Sequence, residues 1–68
     1  MNEDNLNMEI RKFLKKVGIN SQRFIEKEIY EAEKNDLISI EDEIELEMNL
    51  RIKSLNKSNT IMDKIKIS

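Results

Sequence analysis

The stretch EIELEMNLRIK, residues 43–53, alternates between polar and apolar residues at almost every position. Successive side chains of a β-strand point to opposite faces, so this alternation predicts a strand with one charged face and one apolar face. The apolar face carries Ile44, Leu46, Met48, Leu50 and Ile52. A chain of 68 residues has little else with which to cover such a face. We therefore expect a fold that depends on a partner.

The composition of the chain narrows the classes of function. Sixty-eight residues predict one domain, residues 1–68, close to the lower size limit for folding without cross-links. The chain has no Cys and no His, which removes disulfides, thiolate metal sites and the commonest general base. We expect no metal, no cofactor and no catalytic residues, and hence no enzyme. Oligomerisation is then the ordinary way to enlarge a small core.

Charge and hydropathy favour a cytoplasmic location. The formal net charge is −2, and residues 1–4, MNED, lack the basic and apolar regions of a signal peptide. No apolar run is long enough to cross a bilayer, so we expect no membrane partner. The acidic balance also disfavours general binding to nucleic acid.

Two helices are predicted before the strand, at about residues 5–17 and 22–35. Gly18 follows the last apolar position of the first helix, where a left-handed residue would end it. Ser21 is a suitable N-cap for the second helix. The apolar positions recur every three or four residues, as on one helix face. They are Leu6, Ile10, Phe13, Leu14 and Val17 in the first helix, and Phe24, Ile25, Ile29 and Ala32 in the second.

A second strand is predicted at about residues 60–67, so that a hairpin joins it to the strand at about 43–54. Two registers keep the apolar residues on one face. Opposed residue numbers add either to 113, with a two-residue turn at Asn56-Lys57, or to 115, with a four-residue loop. Both registers put Asp63 on the apolar side, for which the pattern offers no reason. Residues 37–40 either dock on the fold or form a third strand, and both alternatives stay open.

The expected fold class is therefore α+β, with two helices packed on a C-terminal antiparallel hairpin in the order α-α-β-β. A two-stranded ribbon is marginal in water and leaves both of its edges open. Pairing two hairpins edge to edge about a two-fold axis would address both problems. We therefore expect a homodimer. Its surface would include Ile44, Leu46, Met48, Leu50, Ile61, Ile65 and Ile67.

The first half of the chain carries three recognisable segments, which are MNED at 1–4, IRKFLKKVG at 10–18 and SQR at 21–23. Over residues 1–29, these segments together with Asn7 and Met8 resemble the opening of a small bacterial family of uncharacterised proteins, a domain of unknown function. The second half resembles that family only in layout, with an alternating strand and then a short terminal strand. Phe24 departs from the acidic residue that the resemblance leads us to expect. The resemblance implies a relative but no activity.

Two functions from different classes fit these features. The first is a small non-enzymatic interaction or adaptor protein that acts as a homodimer with an unidentified protein partner. The second is a nucleic-acid-binding regulator that uses a helix-turn-helix-like corner at residues 10–29. Its contact residues would be Arg11, Lys12, Lys15, Lys16, Arg23 and Lys27. Phosphate binding needs a net basic face, whereas residues 1–35 carry seven basic and seven acidic side chains. We therefore favour the adaptor.

Overall fold

The computed structural model describes all of residues 1–68, which form two compact units, Met1–Leu37 and Ile38–Ser68. The first unit holds one helix, and the second holds a hairpin of two antiparallel strands. The predicted mixture of helix and antiparallel hairpin is confirmed. The predicted order α-α-β-β is wrong, because a single helix precedes the hairpin and the order is α-β-β. One domain over the whole chain stays a prediction.

The helix, α1, spans Glu3–Lys34 and replaces the two predicted helices at 5–17 and 22–35. Its continuity has a physical reason in the apolar pattern. Phe24 lies seven residues, or about two helical turns, beyond Val17 and therefore on the same side of the helix. The apolar residues predicted for the second helix thus continue the apolar side predicted for the first. No proline is present to interrupt the backbone hydrogen bonds. A glycine alone therefore does not end the helix.

The helix ends at the motif that was predicted for Gly18, but eighteen residues later. Gly18 has no positive φ, whereas Asp36 is left-handed with φ 57°. The backbone N–H of Leu37 donates to the Ala32 carbonyl at 2.8 Å, and that of Asp36 donates to the Glu33 carbonyl at 3.1 Å. These two bonds define a Schellman motif with Asp36 in the place usually taken by glycine.

The start of α1 is capped by a short polar side chain. The Asn2 Oδ1 atom accepts a hydrogen bond from the Asn5 backbone N–H at 3.0 Å. Glu3 and Asp4 lie in the first turn and Lys34 in the last, so that charge complements the helix dipole at both ends.

Replacing Gly18 with alanine is expected to stabilise α1 by about 0.5–1 kcal/mol, because glycine inside a helix loses more backbone entropy on folding than alanine does. A Cβ atom added at Gly18 meets nothing within 4 Å. Thermal unfolding followed by far-UV circular dichroism measures the change. A lower melting temperature for the variant would instead indicate a left-handed residue at this position.

The hairpin consists of β1, Glu43–Ile52, and β2, Lys57–Lys66. The predicted limits, about 43–54 and 60–67, are correct at the first residue of β1 and are displaced elsewhere. Ile44 lies opposite Ile65, so the residue numbers of each opposed pair add to 109. Both predicted registers, 113 and 115, are wrong. They differ from the observed register by even numbers, so the predicted faces of the two strands are nevertheless retained.

A four-residue loop at Lys53–Asn56 joins the strands, and it begins with a 3₁₀ turn at Lys53–Leu55. Asn56 is left-handed with φ 52°, and its backbone N–H donates to the Lys53 carbonyl at 3.2 Å. The predicted two-residue turn at Asn56-Lys57 is wrong, because Lys57 already pairs with Ile52. The polar residues that indicated a turn instead begin β2, where the Asn49 amide donates to the Thr60 hydroxyl at 2.9 Å.

Residues 37–40 form no third strand, since the sheet has only two. They belong to the turns that precede β1. The Ser39 backbone N–H donates to the Asp42 carboxylate at 2.8 Å. The Asp42 backbone N–H donates to the Ser39 carbonyl at 3.0 Å.

No side chain of the chain is buried. The large apolar residues of both units are exposed or half-buried, although hydrophobic residues make up 38% of the sequence. No helix combines the length and the apolar character that crossing a membrane requires.

Candidate interaction surfaces

The apolar side of the hairpin, here called the hairpin face, consists of Ile44, Leu46, Met48, Leu50, Ile52, Ile61 and Ile65. Ile44 pairs across the strands with Ile65, and Met48 pairs with Ile61. Six of the seven residues predicted as a dimer surface lie in the paired strands on this face, and the seventh, Ile67, follows the last residue of β2. On this side β1 is apolar throughout, whereas β2 alternates Ile61 and Ile65 with the polar residues Lys57, Asn59 and Asp63. The apolar residues are exposed or half-buried.

The opposite side of the hairpin is polar. Glu43 lies opposite Lys66, and Glu45 lies opposite Lys64 with 4.0 Å between carboxylate and ammonium. Both side chains of the closer pair are largely exposed, so this ion pair stabilises the hairpin by a fraction of a kcal/mol at most. Met62 is the large apolar exception on this side.

Asp63 remains on the hairpin face, opposite Leu46. Its carboxylate accepts a hydrogen bond from the Lys64 backbone N–H at 2.8 Å, so the charge is satisfied locally and in solvent.

A shallow depression of about 550 Å³ lies between Glu45–Glu47 and Met62–Lys64. Nowhere do three acidic side chains converge as a metal site would need. The expected absence of metal, cofactor and catalytic residues stays a prediction.

The second apolar surface runs along α1 and is here called the helix stripe. Helical spacing brings its members to one side of the helix from Leu6 to Ala32, a length of about 39 Å. The members are Leu6, Ile10, Phe13, Leu14, Val17, Phe24, Ile25, Ile29 and Ala32. Ser21 and Glu28 are the polar positions within it. Every member is exposed or half-buried.

The six basic residues proposed to contact nucleic acid all lie in α1 and are exposed. Helical spacing places Lys12, Lys16, Arg23 and Lys27 within about 60° of one another, and separates Arg11 and Lys15 from them. Lys12 is paired with Glu9 at 3.7 Å. The helix-turn-helix-like corner at 10–29 does not exist, because this segment is one uninterrupted helix. The structural basis of the nucleic-acid hypothesis is therefore lost.

An eleven-residue repeat within α1 is the signal that would have revealed the single helix. Residues 6–16, LNMEIRKFLKK, are followed by 17–27, VGINSQRFIEK, and by the partial copy 28–34, EIYEAEK. Aligned in this way, Phe13 matches Phe24, Leu14 matches Ile25, and basic residues recur at matching positions. Eleven residues make three helical turns, so the repeat predicts one continuous helix across Gly18.

The fold and its surfaces thus define a small chain with one helix and one antiparallel hairpin, each of which has an apolar side. The chain belongs to DUF6494, a family of unknown function whose family model matches residues 1–68, the whole chain. This confirms the resemblance to a domain of unknown function and extends it beyond residues 1–29. No curated protein and no solved structure matches the chain.

Proposed function

We propose that the chain is a non-enzymatic interaction protein that acts as a homodimer and presents the remaining surface to a further protein. The observation that carries the proposal is the complete lack of buried side chains in a chain that is 38% hydrophobic. Large contiguous apolar patches on a protein surface mark sites of association. A second copy is the partner that is always available to cover them.

The hairpin supplies a specific reason for self-association. It has only two strands, so each strand keeps one unpaired row of backbone groups, and the hairpin face lies exposed beside them. A two-fold axis at one edge would pair identical strands and double the apolar sheet. The proposed dimer surface is therefore this edge of the sheet together with the apolar residues beside it, which are Ile44, Leu46, Met48, Leu50, Ile61, Ile65 and Ile67.

Co-expression of tagged and untagged copies of the chain tests the proposal. We expect the untagged copy to be captured with the tagged one, accompanied by at least one further protein in comparable amount. Recovery of the tagged chain alone would contradict the proposal. The cytoplasmic location is part of the same proposal, and cell fractionation of the tagged chain checks it.

A further inference from the structure

The helix stripe differs from an ordinary amphipathic face in having a repeat and a strongly uneven charge distribution. An eleven-residue apolar repeat gives a long seam with a right-handed twist when two helices pair along it. The seam available on α1 is about 39 Å long, from Leu6 to Ala32. Its two phenylalanines, at positions 13 and 24, occupy matching places in the repeat and are both exposed.

The charges of α1 are separated along the helix. The basic segment, residues 11–16 (RKFLKK), carries four basic side chains and no acidic one. The acidic segment, residues 26–33 (EKEIYEAE), carries four glutamates and one lysine. Glu28, the only charge inside the stripe, belongs to the acidic segment.

This separation decides the orientation in which two copies can pair. In a parallel pair, each segment would lie level with its own copy, so that Arg11 and Lys15, the basic residues nearest the stripe, would lie level with the same residues of the other copy. In an antiparallel pair, the basic segment of one copy lies beside the acidic segment of the other. Charge complementarity selects register and orientation by penalising like-charge contacts, so it favours the antiparallel pair.

We infer that the helix stripe is a self-docking surface, on which α1 of a second copy lies antiparallel with the basic segment of each chain beside the acidic segment of the other. The inference rests on the proposed homodimer and adds a helical seam to it. Glu28 then lies near the basic segment of the partner copy, which explains a carboxylate within an apolar stripe.

Phe24 and Tyr30 offer a matched pair of substitutions. Both are aromatic residues of α1 with similar exposure, 65% and 68%, but Tyr30 lies about 120° round the helix from Phe24 and outside the stripe. We expect Phe24→Gln to raise the dissociation constant of the dimer at least tenfold and Tyr30→Gln to leave it unchanged, as measured by sedimentation equilibrium. Because neither residue is buried, circular dichroism should show the helix intact in both variants.

Four results would overturn the inference. If the wild-type chain is dimeric and Phe24→Gln dissociates no more readily, the seam is absent and the proposed homodimer survives. If Tyr30→Gln is the weaker dimer, another side of α1 pairs. If Phe24→Gln only abolishes binding to phosphatidylserine vesicles and leaves the dimer unchanged, a lipid surface occupies the stripe. A wild-type chain that is monomeric throughout contradicts the proposed homodimer itself, and with it this inference.

The orientation is tested separately by cross-linking, for which a chain without cysteine is well suited. Asn7→Cys and Ala32→Cys place one thiol near either end of the stripe without changing the charge. After the two variants are mixed and treated with a short bismaleimide, we expect mass spectrometry to find mainly the 7–32 linked species. Predominant 7–7 and 32–32 links would establish a parallel pair, and a statistical mixture would show no fixed pairing. Either result overturns the antiparallel seam.

Discussion

Replacing Asn20 with proline is expected to break α1 and to destabilise it by about 3 kcal/mol or more. Asn20 lies near the middle of the helix, so its N–H bonds to the carbonyl four residues earlier, that of Lys16. Proline removes this bond, and its ring clashes with the same carbonyl. Far-UV circular dichroism should show a large loss of helical signal in the variant.

Proline at the first helical position provides the control. Glu3 is the first residue of α1, where the N–H has no intrahelical partner and proline is well tolerated. Glu3→Pro should therefore keep nearly all of the helical signal. If Asn20→Pro also kept it, the chain would turn at this position, and the account of one continuous helix would be wrong.

Replacing Ile61 with lysine is expected to weaken the dimer at least about tenfold, equivalent to about 1.4 kcal/mol of association free energy. Ile61 lies at the middle of the hairpin face, paired with Met48, and is 60% exposed in the single chain. In the edge-paired dimer, residue 61 of both copies lies on the apolar side of one four-stranded sheet, so the substitution would place two unpaired charges on that side. Sedimentation equilibrium gives the dissociation constant.

The neighbouring residue is the matched control for this substitution. Met62 is also a large exposed apolar residue of β2, at 75%, but it points to the opposite side of the sheet, where it lies opposite Glu47. Met62→Lys should leave the dimer unchanged. Equal weakening by both substitutions would mean that the hairpin face is not the surface that pairs.

The sequence pattern predicted the faces of the hairpin but not its register. Side chains alternate with a period of two, so any even displacement keeps Ile44, Met48, Ile61 and Ile65 on one face. The loop decides among these displacements. Its position was misjudged because the polar residues 57–60 are typical of a turn, whereas in the structure they pair with Asn49–Ile52.

The prediction of two helices was wrong for a different reason. Gly18 satisfies a local rule for ending helices, and Ser21 satisfies one for starting them, so two local signals agreed on a corner. The cost of one glycine inside a helix is only about 1 kcal/mol, which the continuation of the stripe on both sides can outweigh. The true end, at Lys34, is followed by the left-handed Asp36 where a glycine is expected. Because a corner was predicted, the arrangement of the six basic residues around a single helix was not foreseen.

The central claim is that a second copy of the chain covers the exposed apolar surfaces. Sedimentation equilibrium of the wild-type chain over a micromolar dilution series tests it most directly. The account predicts a species of twice the 8.1 kDa chain mass that dissociates reversibly on dilution. A single species of 8.1 kDa at every concentration would contradict it.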